Sequence, residues 1–281
     1  MHPVFLKFGI FEIRYYGLMY AIAFFLGLYL AKKEAKRLNI DTNLIEDYVF
    51  VAMISGLLGG RLYYVLLESH YYFAHPAEII AVWHGGMAIH GGIIGGIIGT
   101  MIFAKVKKIN IWTLGDIAAA PVILGQSIGR IGNLMNGDAH GVPTFAPLNI
   151  MLGNDFNQWW AEYLKGMHQG LKNLVPWGIT FPVGTPAGNE FPNIPTHPVM
   201  VYEMILNFLA FLSIWFIFRK KKLAKGSLFF IYLIEYGVIR SIVTIFRADD
   251  LEILGLRAPH VASLIMITVG IYLLKKKNSK V

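Results

Sequence analysis

Seven blocks of apolar residues, each about fifteen to twenty long and parted by charged or proline-rich stretches, leave this chain few folds. About twenty residues of helix, rising roughly 1.5 Å each, cross the hydrocarbon layer of a bilayer. The blocks lie at about Tyr16–Leu30, Val49–Leu67, Met87–Ala104, Thr113–Leu134, Val199–Phe218, Ser227–Phe246 and Val261–Leu274. Asp116, Pro121 and Gln126 interrupt the fourth. Only 15% of the 281 residues are charged, against roughly 25% in soluble domains. The expected fold is an all-α polytopic membrane protein with seven transmembrane helices, one integral membrane domain over residues 1–281.

Charge position orients it. Lys and Arg concentrate in cytoplasmic loops. Sixteen of the 25 basic residues follow the first, third, fifth and seventh blocks, and six lie in the alternate loops. The N-terminus is therefore expected outside and the C-terminus in the cytoplasm. Basic residues Lys32, Lys33, Lys36 and Arg37 follow the first block rather than precede it, which argues against a cleaved signal peptide. The stretch of about 135–198 holds eight of the twelve prolines, eight glycines, Trp159, Trp160 and Trp177. That mixture reads as an irregular extracytoplasmic cap. The net charge of +8 comes without a basic stripe interleaved with aromatics, so no nucleic-acid partner is expected. With no cysteine, disulfides, thiolate metal sites and a cysteine nucleophile are excluded.

Three arginines remain, and all lie inside blocks: Arg61, Arg130 and Arg240. A guanidinium in a membrane segment is costly and faces a polar interior, which makes each a candidate for function. With the orientation above, Arg61, His90, Arg130, Asn133, Tyr236, Arg240, Tyr16, His197, Tyr202 and Glu203 converge just below the outer surface. That depth suits a lipid headgroup. Asp116 lies near the inner end and reads as an acid at a helix start.

Two stretches carry the chemistry. In Gly85–Gly99, the glycines at positions 91, 95 and 99 form a small-residue ridge that lets helices approach closely, and His90 interrupts an otherwise apolar helix with a group suited to proton transfer. In Gly129–Gly141, Arg130 can grip a phosphodiester through paired hydrogen bonds, and Asn133 and Asn136 add neutral donors.

With these residues the chain resembles the prolipoprotein diacylglyceryl transferase family along nearly its whole length. The most specific match is Gly129–Gly141. Tyr15–Tyr20, Gly59-Gly60-Arg61, Gly86–Gly92, His197-Pro198 with Tyr202-Glu203, and Tyr236-Gly237 with Arg240 and Arg247 follow in order. The resemblance implies transfer of the diacylglyceryl unit of phosphatidylglycerol to the lipobox cysteine thiol of a preprolipoprotein signal peptide. The products are a thioether and glycerol 1-phosphate. It implies catalytic roles for His90, Arg240 and Tyr16, and substrate binding by Arg130, Asn133, Asn136, Asp138, Gly141, Arg61 and Tyr236. No metal or other cofactor is implied. The expected setting is the bacterial cytoplasmic membrane, among membrane lipids, with the site toward the extracytoplasmic side.

Two positions depart from the family pattern. Asp138 stands where Glu is usual, a shorter arm with a different reach. Thr244 stands where an acid is common between the arginines, which removes a salt bridge there. The chemistry itself fits the residues, since fixed cations stabilise a leaving phosphate in a dry site. Arg130 and Arg240 would clamp the phosphate, and His90 would take the thiol proton directly or through Tyr16. The rival reading is a transporter for an anionic solute, whose path intramembrane arginines can also line. Transporters often carry paired repeats meeting near the midplane, and this sequence has neither.

Overall fold

The computed structural model describes residues 3–279 except 10, 154, 169, 174, 249–251, 254 and 255. Seven helices are long and apolar enough to cross a membrane: α1 (Tyr15–Arg37), α2 (Thr42–Leu67), α3 (Ile89–Val106), α4 (Ile111–Asn136), α5 (Val199–Lys220), α6 (Ser227–Thr244) and α7 (Ala258–Asn278). Each contains the core of one apolar block. Most run further, because backbone hydrogen bonds continue past the point where apolar character ends. Asp41, for example, caps α2 through its side chain, which accepts from the Asn43 N–H at 3.0 Å. The interruptions in the fourth block leave α4 unbroken, with Pro121 inside it. Large apolar side chains point outward along the helices, with Leu58 67% and Ile97 55% exposed. An outward apolar belt is the pattern that lipid rather than water solvates.

The chain forms two compact units, Leu28–Ala118 and the pair of segments Met1–Gly27 with Ala119–Val281. In the smaller unit, α2 packs on α3 through small residues. A Cβ at Gly95 would strike the Ser55 carbonyl and lie 3.0 Å from Gly59 Cα, whereas one at Gly96 would meet only the Ala52 carbonyl at 3.9 Å. Backbone therefore meets backbone on the ridge expected from the sequence, where van der Waals contact replaces the missing hydrophobic drive between helices in lipid. A second core joins Ala31, Ala35, Ile45, Tyr48, Phe103, Ala104, Leu114 and Ile117. Asp116 sits beyond the first turn of α4 and within electrostatic reach of Arg37.

Arg61 takes an arrangement that the sequence does not announce. It is 6% exposed, and its guanidinium donates to the carbonyls of Glu78, Ile79, Ala81, Gly85 and Gly86, all on the α2–α3 connection. A guanidinium has five N–H donors, and five carbonyls face this one. Arg61 thus braces the connection.

The larger unit opens with an antiparallel hairpin, Val4–Phe8 with Phe11–Arg14, that runs straight into α1. Between α4 and α5 lies a segment of short helices (Leu148–Leu152, Phe156–Leu164 and Pro186–Glu190) and isolated bridges. Its core is Val142, Phe145, Ala146, Met151, Phe156, Trp159 and Phe191. Backbone bonds tie it to the end of α6, with the Val142 N–H donating to the Phe246 carbonyl at 2.9 Å. Helix α5 widens into a π turn at Ser213–Ile217, where the Ser213 hydroxyl donates to Glu235.

The α2–α3 contact separates two neighbouring glycines. Gly95→Ala should destabilise the protein by about 1–3 kcal/mol through overpacking, while Gly96→Ala should be neutral or better. Thermal unfolding in detergent, with the two variants run side by side, checks this; equal melting temperatures count against the packing account.

Candidate active site

The larger unit gathers a chain of polar groups from α1, α4, α5 and α6. Arg130 and Asn133 lie three residues apart on α4, a spacing that puts them on one helix face. Arg130 Nη1 donates to Asn133 Oδ1 at 3.0 Å, and Nη2 donates to Glu203 Oε1 at 2.5 Å. The other Glu203 oxygen faces Arg240 Nη1 at 3.8 Å. One carboxylate from α5 thus stands between guanidiniums from α4 and α6. It is 1% exposed.

The chain continues in the other direction. Asn133 Nδ2 donates to the Tyr16 hydroxyl, which donates to Asp138 Oδ2 at 2.9 Å. Asn136 Nδ2 donates to the same oxygen at 3.1 Å. The backbone makes this possible. A Cβ at Gly132 would lie 2.7 Å from Tyr16 Cδ1, so the glycine leaves the space that the ring occupies. Asn133 O then accepts from the N–H groups of Gly137 and Asp138 at 2.8 and 3.1 Å, which folds Asp138 back over the end of α4. The short arm of Asp138 thereby reaches Tyr16.

Six residues named from the sequence accordingly join one network: Tyr16, Arg130, Asn133, Asn136, Asp138 and Arg240. Tyr236 stacks on Tyr232 at 6.0 Å and lies within electrostatic reach of Glu203 and Arg240. Gly141 is buried where two backbones cross, and a Cβ there would lie 2.5 Å from the His197 carbonyl and 2.6 Å from Val199 Cγ2. His90 belongs to the smaller unit, where it is exposed near the start of α3 with its ring 6.4 Å from that of Tyr63.

The sequence reading assigns Glu203 to a matching stretch but gives it no role. An acid one turn inside an apolar helix is the signal that marks it, since such a charge must be paired. Thr244 is fully buried, and its carbonyl accepts from Arg257 Nη1 at 2.7 Å. Arg257 also donates to the Gly153 carbonyl at 2.9 Å, so a basic residue counted from sequence as a loop charge is a buried brace. Asp249 and Asp250, the acids that follow Arg247, lie outside the described residues.

Elsewhere in the larger unit, His140 Nε2 meets Glu190 Oε2 at 2.8 Å, and His197 Nδ1 lies 3.3 Å from the Tyr202 hydroxyl, which accepts from Trp177 Nε1 at 2.8 Å. His197 is 4% exposed, and burial pushes its imidazole down to about 4.

A buried carboxylate set between two guanidiniums, on one chain of contacts with a tyrosine and two asparagines, lies in a helical membrane protein. The family model for prolipoprotein diacylglyceryl transferase matches residues 3–275. A Fusobacterium nucleatum protein named phosphatidylglycerol–prolipoprotein diacylglyceryl transferase is 57% identical over the full length of both chains. Proteins of that name from Trichormus variabilis and Bacillus cereus are 36% and 34% identical, over 96% and 94% of this chain and 87% of each relative. The chain belongs to the prolipoprotein diacylglyceryl transferase family and is a multi-pass membrane protein. The transporter reading finds no support.

The buried imidazole has a measurable consequence. The folded state takes up the His197 proton only near pH 4, whereas the unfolded chain does so near 6.5. Its contribution to stability is therefore complete above pH 6.5 and is lost as pH falls toward 4. His197→Gln should flatten the fall in melting temperature over that interval; an unchanged pH slope would contradict this.

Proposed function

We propose that this transferase moves the diacylglyceryl group of phosphatidylglycerol to the lipobox cysteine thiol of a preprolipoprotein, releasing glycerol 1-phosphate. The thiolate sulfur bonds to the glyceryl carbon, the bond from that carbon to the phosphate oxygen breaks, and its electron pair leaves on the phosphate. The observation that carries the reading is the meeting of Arg130 and Arg240 on Glu203, within a chain of this family. Two guanidiniums suit the phosphate, because planar paired donors match its oxygens and strengthen as charge builds there. Arg61 then serves the scaffold.

The nucleophile comes from the substrate, so a chain without cysteine loses nothing. In this reading His90 takes the thiol proton, because an imidazole nitrogen can accept one and a guanidinium cannot. Tyr16 is the second group placed in proton transfer, supported by its hydroxyl donating to Asp138. The site lies toward the extracytoplasmic side of the bacterial cytoplasmic membrane, with the N-terminus outside, as the basic loops favour. The whole chain then acts as one integral membrane domain, with the segment of about 135–198 as its extracytoplasmic cap.

Purified protein, a lipobox peptide and phosphatidylglycerol should yield a thioether product, with little from a zwitterionic lipid. Arg130→Ala should lower turnover by about a hundredfold or more. Near-normal turnover in His90→Gln, with Arg130→Ala inactive, would remove the base from His90 and leave the clamp intact. Orientation has its own check, because a chain without cysteine gives no labelling background. Lys172→Cys should react with an impermeant maleimide in intact cells and Lys222→Cys should not; the reverse pattern inverts the topology.

A further inference from the structure

The antiparallel hairpin that leads into α1 sorts its side chains by face. Residues opposite each other in a strand pair share a face, and successive residues alternate. Leu6 pairs with Ile13, Lys7 pairs with Glu12, and Phe8 lies two residues on from Leu6. Lys7 Nζ donates to Glu12 Oε1 at 2.6 Å, and Arg14 Nη2 lies 4.0 Å from Glu12 Oε2, so the three charges share one face. Leu6, Phe8 and Ile13 fall on the other, where they are 41%, 64% and 45% exposed. Among the described residues none closes over them. Two contacts seat the hairpin on α1. The Tyr15 N–H, at the first residue of the helix, donates to the Pro3 carbonyl at 3.0 Å, and the Phe5 ring meets the Tyr15 ring edge-on at 5.3 Å.

We propose that the hairpin of Val4–Phe8 and Phe11–Arg14 lies flat in the headgroup layer of the bilayer, with Leu6, Phe8 and Ile13 turned toward the acyl chains and Lys7, Glu12 and Arg14 toward water. Continuity names this surface. Arg14 is followed directly by Tyr15 of α1, so no linker lets the hairpin leave the point where the helix emerges. An isolated two-stranded hairpin is marginal in water, and a surface that takes up its large apolar side chains stabilises it. The backbone limits its depth. A two-stranded sheet has an open edge on each side, and edge N–H and C=O groups cannot be left unpaired in hydrocarbon. The interface meets both demands, with apolar side chains below and water at the edges. The exposed cations of Lys7 and Arg14 also suit anionic headgroups. The hairpin then fixes the depth of the first turn of α1, which carries Tyr16 of the polar network. Nothing in this placement depends on the transfer reaction or on which leaflet faces that end of α1.

Because the chain has no cysteine, nitroxide labels can be placed one at a time on the full-length protein through Leu6→Cys, Lys7→Cys, Phe8→Cys and Ile13→Cys. In vesicles of phosphatidylglycerol and phosphatidylcholine, electron paramagnetic resonance reads collision with oxygen, which concentrates in lipid, and with a water-soluble nickel chelate. Labels in place of Leu6, Phe8 and Ile13 should give an oxygen-to-nickel collision ratio several-fold above that of the label in place of Lys7. Equal ratios at all of them, or the reverse order, overturn the proposal. Spin–spin broadening on the apolar face would mean that a second copy covers it, and low collision with both reagents would mean that another part of the protein does. Either result overturns the proposal as well. A second measurement uses the wild-type chain, where no label can distort the hairpin. A phospholipid carrying a diazirine on its acyl chain near the ester, photolysed in the same vesicles, should leave adducts on the two strands, and their absence overturns the proposal.

Discussion

A carboxylate excluded from solvent in an apolar helix bundle has to be paired. Moving an ion out of water costs several kcal/mol, and removing one partner of a buried pair costs about 3–5 kcal/mol because the remaining charge is stranded. Glu203 meets that demand with two arginines from two other helices. The pairing fixes which faces of α4, α5 and α6 turn toward one another. It also prevents either guanidinium from turning outward into acyl chains, where no acceptor exists. The same contacts that hold three helices together therefore aim two cations at one place.

From that centre the order of the site follows the chain. Arg130 and Asn133 share a helix face, Gly132 between them opens a gap, and the ring of Tyr16 fills it. The turn after α4 then brings Asp138 back to the Tyr16 hydroxyl. A stretch of thirteen residues thus supplies a cation, an amide, a void and a carboxylate in register.

Much of the architecture was legible because lipid imposes a simple rule. Apolar length gives the spans, and the glycine ridge of α3 gives its packing partner face. Arg130 and Arg240 stood out for the same reason, as charges in places that exclude them. Other features left weaker traces. Glu203 matters through side chains far off in sequence, so its neighbours could be known only from the folded chain. The roles of Arg61 and Arg257 were hidden because each bonds to backbone carbonyls, and a carbonyl has no letter in the sequence. The segment between α4 and α5 is held by isolated bridges and aromatic packing, neither of which has a period to read.

Arg61 has a consequence for how the α2–α3 connection behaves. Its bonds radiate from a single rigid plane, and the five carbonyls belong to a stretch of nine residues. Pulling one carbonyl away tilts the plane against the rest, so the contacts are made and lost as a group. The connection that leads into α3 is consequently fastened like a button rather than a zip.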